Sequence, residues 1–202
     1  MNEIRKSQYS RKTNETDISV TLELVSNRDA LVNTGVPFFD HMLSSFAKHG
    51  RMALSLTCNG DTNIDDHHSV EDTGICLGLA FASALGSKKG IYRFGEAFAP
   101  MDDALVLSAL DLSGRGHFEY KGPELDGYVG RYSEELTLEF FKAFAVNGGI
   151  NLHIHVLSGS NRHHVHEAIF KSSAIALYRA VLIDPLVGDD ILSTKGTLAA
   201  SE

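Results

Sequence analysis

The chain has 202 residues, of which 43% are hydrophobic and 22% charged, as in an ordinary globular protein with a core of useful size. Its net charge of -8 argues against a general nucleic-acid-binding surface, although a few local cations can still bind a small anionic substrate. No apolar run approaches the roughly 18 residues of a membrane span, and residues 1–14 lack an apolar signal core, so we expect a cytoplasmic protein with no membrane partner.

The first half of the chain is predicted to form two strands, a helix, a third strand and a second helix. We expect strands over 16–25, 30–33 and 51–58, and helices from Pro37 to the stop at Gly50 and from His67 to Gly86. The segment 30–33 is predicted to be the hairpin partner of the first strand, and Asp65 or Asp66 to cap the second helix. Cys58 and Cys76 lie in apolar segments without CxxC spacing and are interpreted as small buried hydrophobic residues.

The second half repeats this order of elements. Strands are expected over 104–112, 116–120 and 150–157, and helices over 133–145 and from the cap Asn161 to about Leu182. Here too the second strand, 116–120, is predicted to pair with the first.

Three segments recur in the same order in the two halves, which indicates an internal duplication. FAKHG at 46–50 matches FAVNG at 144–148, ALSLTC at 53–58 matches NLHIHV at 151–156, and DDHHSVE at 65–71 matches NRHHVHE at 161–167. We therefore predict one α+β catalytic domain over 1–202, built from β-β-α-β-α pseudo-repeats at about 11–88 and 100–185. The helices pack on one face of each sheet, and a C-terminal tail, 186–202, closes over the substrate.

Each repeat places the motif His-His-x-x-Glu at the start of a helix, a pattern that predicts metal binding. Positions i and i+4 lie on one helix face, so His67 and Glu71, like His163 and Glu167, can bind one ion together. The adjacent His68 and His164 point about 100° away around the helix axis and would serve a second ion.

Two further histidines are candidate ligands, His41 near the start of the first helix and His153 in the strand before the second motif. Six imidazoles and two carboxylates would suit manganese, iron, cobalt, nickel or zinc better than calcium or magnesium. The number of ligands favours manganese over four-coordinate zinc. We interpret His166, in the second motif, as a surface residue.

The motif segments, taken together, resemble the imidazoleglycerol-phosphate dehydratase family of histidine biosynthesis over about residues 11–196. They are TGVPFFDHML at 34–43, DHHSVED at 66–72, YRFG at 92–95, DLSGR at 111–115, NRHHVHE at 161–167 and STKG at 193–196. The sequence departs from the usual pattern at Asp103, where Glu is common, at His166, where an aliphatic residue is common, and in the helix around Lys171.

The resemblance implies dehydration of imidazole glycerol phosphate to imidazole acetol phosphate, with two Mn²⁺ ions per active site. It also implies active sites between subunits of a homo-oligomer of 24 chains. The family's metal ligands correspond to His41, His67, His68, Glu71, His153, His163, His164 and Glu167, and its phosphate-binding residues to Arg93, Arg115, Lys171, Ser193 and Lys195.

The expected chemistry needs a general acid and base, because no carbonyl activates the C–H bond that is lost. We expect a metal-bound imidazolate to expel the C3 hydroxyl, after which loss of the C2 proton gives an enol and then the ketone. Glu15, which matches an acidic residue that the family places beside the imidazole ring, is the first candidate for the proton transfer, and Asp102 the second. Asp72 is predicted to orient a metal-bound imidazole.

Two other functions fit parts of the pattern. A di-metal hydrolase would use a metal-bound water and often a bridging carboxylate, whereas these motifs are rich in imidazole and poor in carboxylate. A metal-storage or sensor protein would have no need of Arg93, Arg115 and Lys195.

Overall fold

The computed structural model describes residues 5–198, which form two four-stranded sheets with a layer of four helices between them. The strands are β1 (Lys6–Lys12), β2 (Thr16–Glu23), β3 (Leu31–Asn33), β4 (Ala53–Gly60), β5 (Phe94–Met101), β6 (Ala104–Asp111), β7 (His117–Lys121), β8 (Tyr128–Val129), β9 (Tyr132–Ser133) and β10 (Asn151–Ser158). The helices are α1 (Pro37–His49), α2 (His67–Leu85), α3 (Glu135–Gly148) and α4 (Arg162–Val181).

The two sheets have the same topology, and this confirms the α+β duplication. The first sheet has the strand order β1-β2-β4-β3 and the second β5-β6-β10-β7. In each sheet the first three strands are antiparallel, and the last strand pairs in parallel. Each half therefore has the order β-β-β-α-β-α, with one strand more at its start than the sequence predicted. The small β8–β9 hairpin occurs only in the second half of the described chain.

Both predicted hairpin pairings are wrong. β3 pairs with β4, not β2, and β7 pairs with β10, not β6. The strands that do pair with β2 and β6 as hairpins are β1 and β5, which precede them. Because β1 and β5 occupy those positions, β3 and β7 can add only at the opposite edge, beside the strand that follows the next helix.

The helices pack on the inner face of each sheet, as predicted. α1 and α2 contact the first sheet, α3 and α4 the second, and the helices join the halves through α1–α4 and α2–α3 contacts. Strand residues alternate accordingly: in β2, Ile18, Val20 and Leu22 are buried, whereas Asp17 and Ser19 are exposed. This alternation also decides which side chains of β10 face away from the helices.

Two glycines allow α2 and α3 to approach closely. A Cβ added to Gly74 would lie 2.7 Å from the carbonyl oxygen of Phe140, and one added to Gly78 would lie 2.7 Å from that of Phe144. Within residues 5–198, no helix has both the length and the apolar character needed to cross a bilayer.

Candidate metal centre

The first group of candidate ligands lies where α1 meets the N-terminal end of α4. The side chains of His41, His163 and Glu167 each offer a ligand atom, and these atoms all lie within 4.8 Å of one another. His163 Nε2 is 3.3 Å from Glu167 Oε2, as their i,i+4 spacing predicts. His41 comes from α1, and its ring centroid is 6.0 Å from that of His163.

Lys171, one turn further along α4, completes the charge pattern of this group. Its Nζ is 2.8 Å from Glu167 Oε1. Burial disfavours the charged form of Glu167, but the hydrogen bond from Lys171 and the positive charges of Lys171, His41 and His163 outweigh it and lower the pKa of Glu167. The carboxylate is therefore ionised and able to bind a cation at neutral pH.

The second group lies at the start of α2. His67 Nε2 is 3.6 Å from Glu71 Oε2, again an i,i+4 pair. The Asp65 side chain accepts a hydrogen bond from the backbone N–H of His67 at 2.8 Å, so of the two predicted cap residues it is Asp65 whose side chain binds the helix start. A cavity of about 310 Å³ opens beside His67, and Asp66, Tyr128 and Arg131 contribute to its lining.

His68, the second imidazole of the α2 motif, lies between two carboxylates. Its Nδ1 donates to both oxygens of Asp61, at 3.1 and 3.2 Å. Its Nε2 is 3.8 Å from Oε1 of Glu15, in the turn between β1 and β2. The hydrogen bond to Asp61 raises the pKa of His68. The ring centroids of His67 and His68 are 6.2 Å apart, and their planes make an angle of 88°.

His164 has the same environment in the α4 motif. Its Nδ1 donates to Asp103 Oδ1 at 2.7 Å, and its Nε2 is 3.5 Å from Asp102 Oδ2. Asp102 and Asp103 form the turn between β5 and β6, the equivalent of the turn that carries Glu15. Hydrogen bonds from the Ser160 backbone N–H and from His164 lower the pKa of Asp103. The cap prediction for α4 is confirmed, since Asn161 Oδ1 accepts from the His164 N–H at 3.3 Å.

Asp72 does not contact an imidazole in the described part of the chain. It is 7% exposed, accepts a hydrogen bond from Thr16 Oγ1 at 2.5 Å and forms an ion pair with Arg11 at 2.5 Å. Asp72 points into the gap between α2 and the first sheet because it is one position past Glu71, whose side chain faces His67. Asp61 and Asp103 contact the imidazoles instead.

His153 lies apart from both groups. Its neighbours Leu152 and Ile154 are buried, so alternation puts His153 on the outer face of the second sheet, where it is exposed. Its ring centroid is 5.7 Å from that of His117. Its role as a ligand remains a prediction.

The prediction that His166 is a surface residue is wrong. Its side chain is 0% exposed, its Nδ1 is 2.8 Å from Thr137 Oγ1, and its Nε2 is 3.4 Å from Oε1 of the buried Glu134. Glu134 also forms an ion pair with Arg162 at the start of α4. Position 166 faces α3 and the segment that precedes it. Thr137 is the hydrogen-bond partner of Nδ1 there, whereas the buried Nε2 has no hydrogen-bond partner among residues 5–198.

The predicted phosphate-binding residues fall into separate regions. Lys171 lies beside Glu167, as described above. Arg93 makes a two-pronged ion pair with Asp111, at 2.7 and 2.9 Å, and donates to the Leu192 carbonyl at 2.6 Å, next to Ser193. The Lys195 backbone N–H donates to Ser193 Oγ at 3.2 Å, so Arg93 and the tail lie together. Arg115 is exposed in the loop after β6.

The Arg93 region and the metal-ligand group lie at opposite ends of α4. The backbone N–H of Arg93 donates to the carbonyl of Ala180, near the C-terminal end of that helix. Glu167 lies 13 residues earlier, which corresponds to roughly 20 Å along the axis at about 1.5 Å per residue.

Sequence reasoning missed the carboxylate of Asp61, the role of Asp103 and the cation Arg131. Asp61 and Asp103 belong to loops outside α2 and α4, so a helical or strand period does not relate either of them to its histidine. Arg131 lies between β8 and β9, donates to the Gly35 carbonyl at 2.8 Å and faces the cavity beside His67.

The residues present suit a divalent transition ion. The donors are imidazole nitrogens and carboxylate oxygens, with neither cysteine nearby: Cys58 and Cys76 are free and buried, as predicted. Among residues 5–198, no ion pair or ring contact joins the α2 group to the α4 group. The candidate ligands of one chain thus form two groups that do not contact each other in these ways.

Known proteins resemble this chain over almost its whole length. The sequence model of the imidazoleglycerol-phosphate dehydratase family matches residues 34–177. The enzyme of that name from Prochlorococcus marinus (strain AS9601) is 50% identical over 198 residues, covering 98% of both chains, and that from Desulforamulus reducens is 52% identical over 195 residues, covering 96% of this chain and 98% of the relative.

Solved structures resemble it equally clearly. The imidazoleglycerol-phosphate dehydratase from Staphylococcus aureus superposes with a TM-score of 0.78 at 34% identity, covering 88% of this chain and 99% of the other. The Pyrococcus furiosus enzyme in complex with (S)-C348 gives 0.79 at 34% identity, covering 93% and 99%. The motifs, the duplicated fold and these similarities agree, and the chain belongs to the imidazoleglycerol-phosphate dehydratase family.

Proposed function

We propose a metal-assisted mechanism for the reaction of this family member. The reaction is the dehydration of imidazole glycerol phosphate to imidazole acetol phosphate, a step of histidine biosynthesis. The observation that carries the metal proposal is the convergence of His41, His163 and Glu167, whose ligand atoms lie within 4.8 Å of one another. Family membership favours this function over the di-metal hydrolase and the metal-storage protein.

Two Mn²⁺ ions per active site are the proposed cofactors. The proposed ligands are the eight residues that the sequence predicted: His41, His67, His68, Glu71, His153, His163, His164 and Glu167. When bound, such ions act as Lewis acids that stabilise negative charge on the substrate's imidazole ring. The protein must hold the ring, remove one proton and protonate one hydroxyl.

Glu15 and Asp102 are the proposed proton-transfer residues. Each lies near the Nε2 of the second imidazole of a motif, at 3.8 Å from His68 and 3.5 Å from His164, respectively. Both carboxylates are more than half exposed, so substrate and water can reach them. One of these two carboxylates takes the C2 proton, and the C3 hydroxyl accepts a proton and leaves as water. The resulting enol then becomes the ketone.

The phosphate group is proposed to bind Arg93, Arg115, Lys171, Ser193 and Lys195. Arg offers paired donors for phosphate oxygens, and Arg93 is already held in a fixed orientation by Asp111. In an acidic chain these cations would supply local positive charge to a pocket to which more than one subunit contributes.

The distances within one chain support the proposal of active sites between subunits. The separation of roughly 20 Å between Glu167 and the Arg93 region exceeds what a substrate with a three-carbon chain can span. The α2 and α4 groups are also separate. We therefore propose a homo-oligomer, of 24 chains by resemblance, in which one subunit's α2 group meets another's α4 group. The cytoplasm is the proposed location, as for a biosynthetic enzyme.

The decisive experiment is a direct assay. The purified, full-length protein is stripped with a chelator, reloaded with Mn²⁺ and incubated with imidazole glycerol phosphate, and product is followed by the absorbance of its enol form. We expect turnover with Mn²⁺ and none without a transition ion. No product from the manganese-loaded protein at neutral pH would refute the dehydratase proposal, and full activity of the stripped protein would refute the metal proposal.

A further inference from the structure

The second histidine of each motif is held by an aspartate from a loop. His68 Nδ1 lies 3.1 and 3.2 Å from the two oxygens of Asp61, and His164 Nδ1 lies 2.7 Å from Asp103 Oδ1. An ionised carboxylate can only accept a hydrogen bond, so Nδ1 carries the proton in both rings. In a neutral ring, Nε2 then has the free lone pair.

We infer that Asp61 and Asp103 are positioning residues that keep His68 and His164 in the tautomer whose Nε2 can bind a metal ion. The inference rests on the proposed function. It differs from the sequence prediction, which gave this role to Asp72, a residue bound instead by Thr16 and Arg11. A metal-binding imidazole whose other nitrogen donates to a carboxylate is a common arrangement, in which the carboxylate fixes ring orientation.

The two aspartates reach equivalent imidazoles from different places. Asp61 directly follows β4 and precedes its own motif, whereas Asp103 lies in the β5–β6 turn, far from its motif in sequence. Duplication alone therefore does not account for the pairing. Both halves retain a carboxylate at Nδ1 of the second imidazole although their loops supply it differently.

Asp103 is held more firmly than Asp61. Its Oδ2 accepts from the backbone N–H groups of Ser160 and Asn161, at 2.6 and 3.0 Å, and from the Ser160 hydroxyl at 3.0 Å. Within residues 5–198, the recorded hydrogen bonds of the Asp61 carboxylate all come from His68. This difference predicts different outcomes for the same substitution.

In Asp103→Asn, the amide oxygen must take the place of Oδ2, because two backbone N–H groups require an acceptor there. The NH₂ group then faces His164 Nδ1 and forces it to accept, so the proton moves to Nε2 and blocks metal binding. In Asp61→Asn the amide is free to turn its oxygen toward His68, and the functional tautomer survives. Asp61→Ala removes the acceptor altogether.

The test is Mn²⁺ binding to chelator-stripped, full-length protein, measured from the electron paramagnetic resonance signal of the free ion. We expect Asp103→Asn and Asp61→Ala to bind Mn²⁺ about 10- to 100-fold more weakly, the range found when such partners are removed. Asp61→Asn should lose less than Asp61→Ala. Two controls should bind like wild type: Asp29→Asn, an exposed carboxylate, and Ser160→Ala, which removes a donor to Asp103 without affecting His164.

The inference is overturned if folded Asp103→Asn binds Mn²⁺ as tightly as Asp29→Asn. If thermal unfolding shows that Asp103→Asn does not fold, the two variants Asp61→Ala and Asp61→Asn provide the test instead. Equal Mn²⁺ binding by Asp61→Ala and wild type then overturns the inference. These failures leave the proposed metal function intact as long as wild type binds Mn²⁺. Absence of Mn²⁺ uptake by wild type would instead refute both.

Discussion

Glu15 lies in the turn between β1 and β2, and its Oε1 is 3.8 Å from His68 Nε2, too far for a direct hydrogen bond. For Glu15→Gln we expect kcat to fall about 100- to 10,000-fold, the usual contribution of a general acid or base. Mn²⁺ affinity should be unchanged, because the amide keeps the shape of the side chain. Steady-state kinetics and metal titration measure the two effects.

A neighbouring carboxylate is the control for Glu15. Asp17 is exposed and pairs with Lys12 across the same hairpin. Asp17→Asn should retain nearly full activity. A Glu15→Gln enzyme with wild-type kcat would exclude Glu15 as the proton-transfer residue and leave Asp102 as the candidate.

The cysteines provide a second test at the residue scale. Burial raises the pKa of the Cys76 thiol to about 11 and also raises that of Cys58. Both thiols are therefore protonated and inaccessible at pH 8, and we expect the native protein not to react with Ellman's reagent. After denaturation in guanidinium, two thiols per chain should react. Rapid reaction of the native protein would contradict the burial of both side chains.

Residue-level prediction succeeded where helix geometry alone decides a contact. The pairs His67–Glu71 and His163–Glu167 follow from i,i+4 spacing. Asp61 and Asp103 could not be found this way, because loops bring them to their imidazoles. The burial of His166 depends on Glu134, which is remote in sequence and packs over that face of α4.

At the scale of elements, the close contact of α2 and α3 depends on glycine. A Cβ at position 78 would meet the backbone of α3, at 2.7 Å from the Phe144 oxygen and 2.9 Å from the Gly148 nitrogen. Gly78→Ala should therefore lower the free energy of unfolding by about 1–3 kcal/mol, the cost of overpacking, despite alanine's better helix propensity. Urea unfolding of variant and wild type measures this.

The control lies on the same helix. Ser83 is exposed, and Ser83→Ala should change the free energy of unfolding by less than about 0.5 kcal/mol. If Gly78→Ala proves as stable as wild type, the two helices can separate without cost and the close approach is not needed for folding.

The strands that sequence reasoning missed lack a normal hydrophobic pattern. In β5 the inward residues are the small Gly95, Ala97 and Ala99, whereas Phe94 and Phe98 face outward. A Cβ on Gly95 would lie 2.0 Å from the Ala176 oxygen, so α4 packs too close for large side chains. β1 is mostly polar because it lies at the sheet edge. The helices, with regular apolar spacing and glycine stops, were predictable to within a few residues.

At the scale of the whole molecule, we expect metal binding and subunit assembly to depend on each other. If the α2 and α4 groups of different subunits share ions, losing one ligand weakens the interface as well as the chemistry. We expect His163→Ala, like His67→Ala, to abolish activity and shift the protein toward smaller species in sedimentation velocity. Wild type treated with a chelator should shift in the same way.

Asp29→Asn serves again as the control, since Asp29 is an exposed loop residue and is not a proposed site residue. It should retain activity and size. A His163→Ala protein that stays fully assembled without metal would show that the interface does not depend on the ions. Contacts within one chain could not have predicted this arrangement, because in the proposed assembly other copies supply the residues that complete each site.

The length of α4 has a genetic consequence. In the proposed assembly, an Arg93→Ala subunit would damage one pocket through its tail end and leave its ligand end to serve a different pocket. A His163→Ala subunit would do the reverse. Two inactive alleles co-expressed in one cell would then form mixed particles in which some pockets receive only intact halves, and such a cell would grow without added histidine although neither allele alone supports growth.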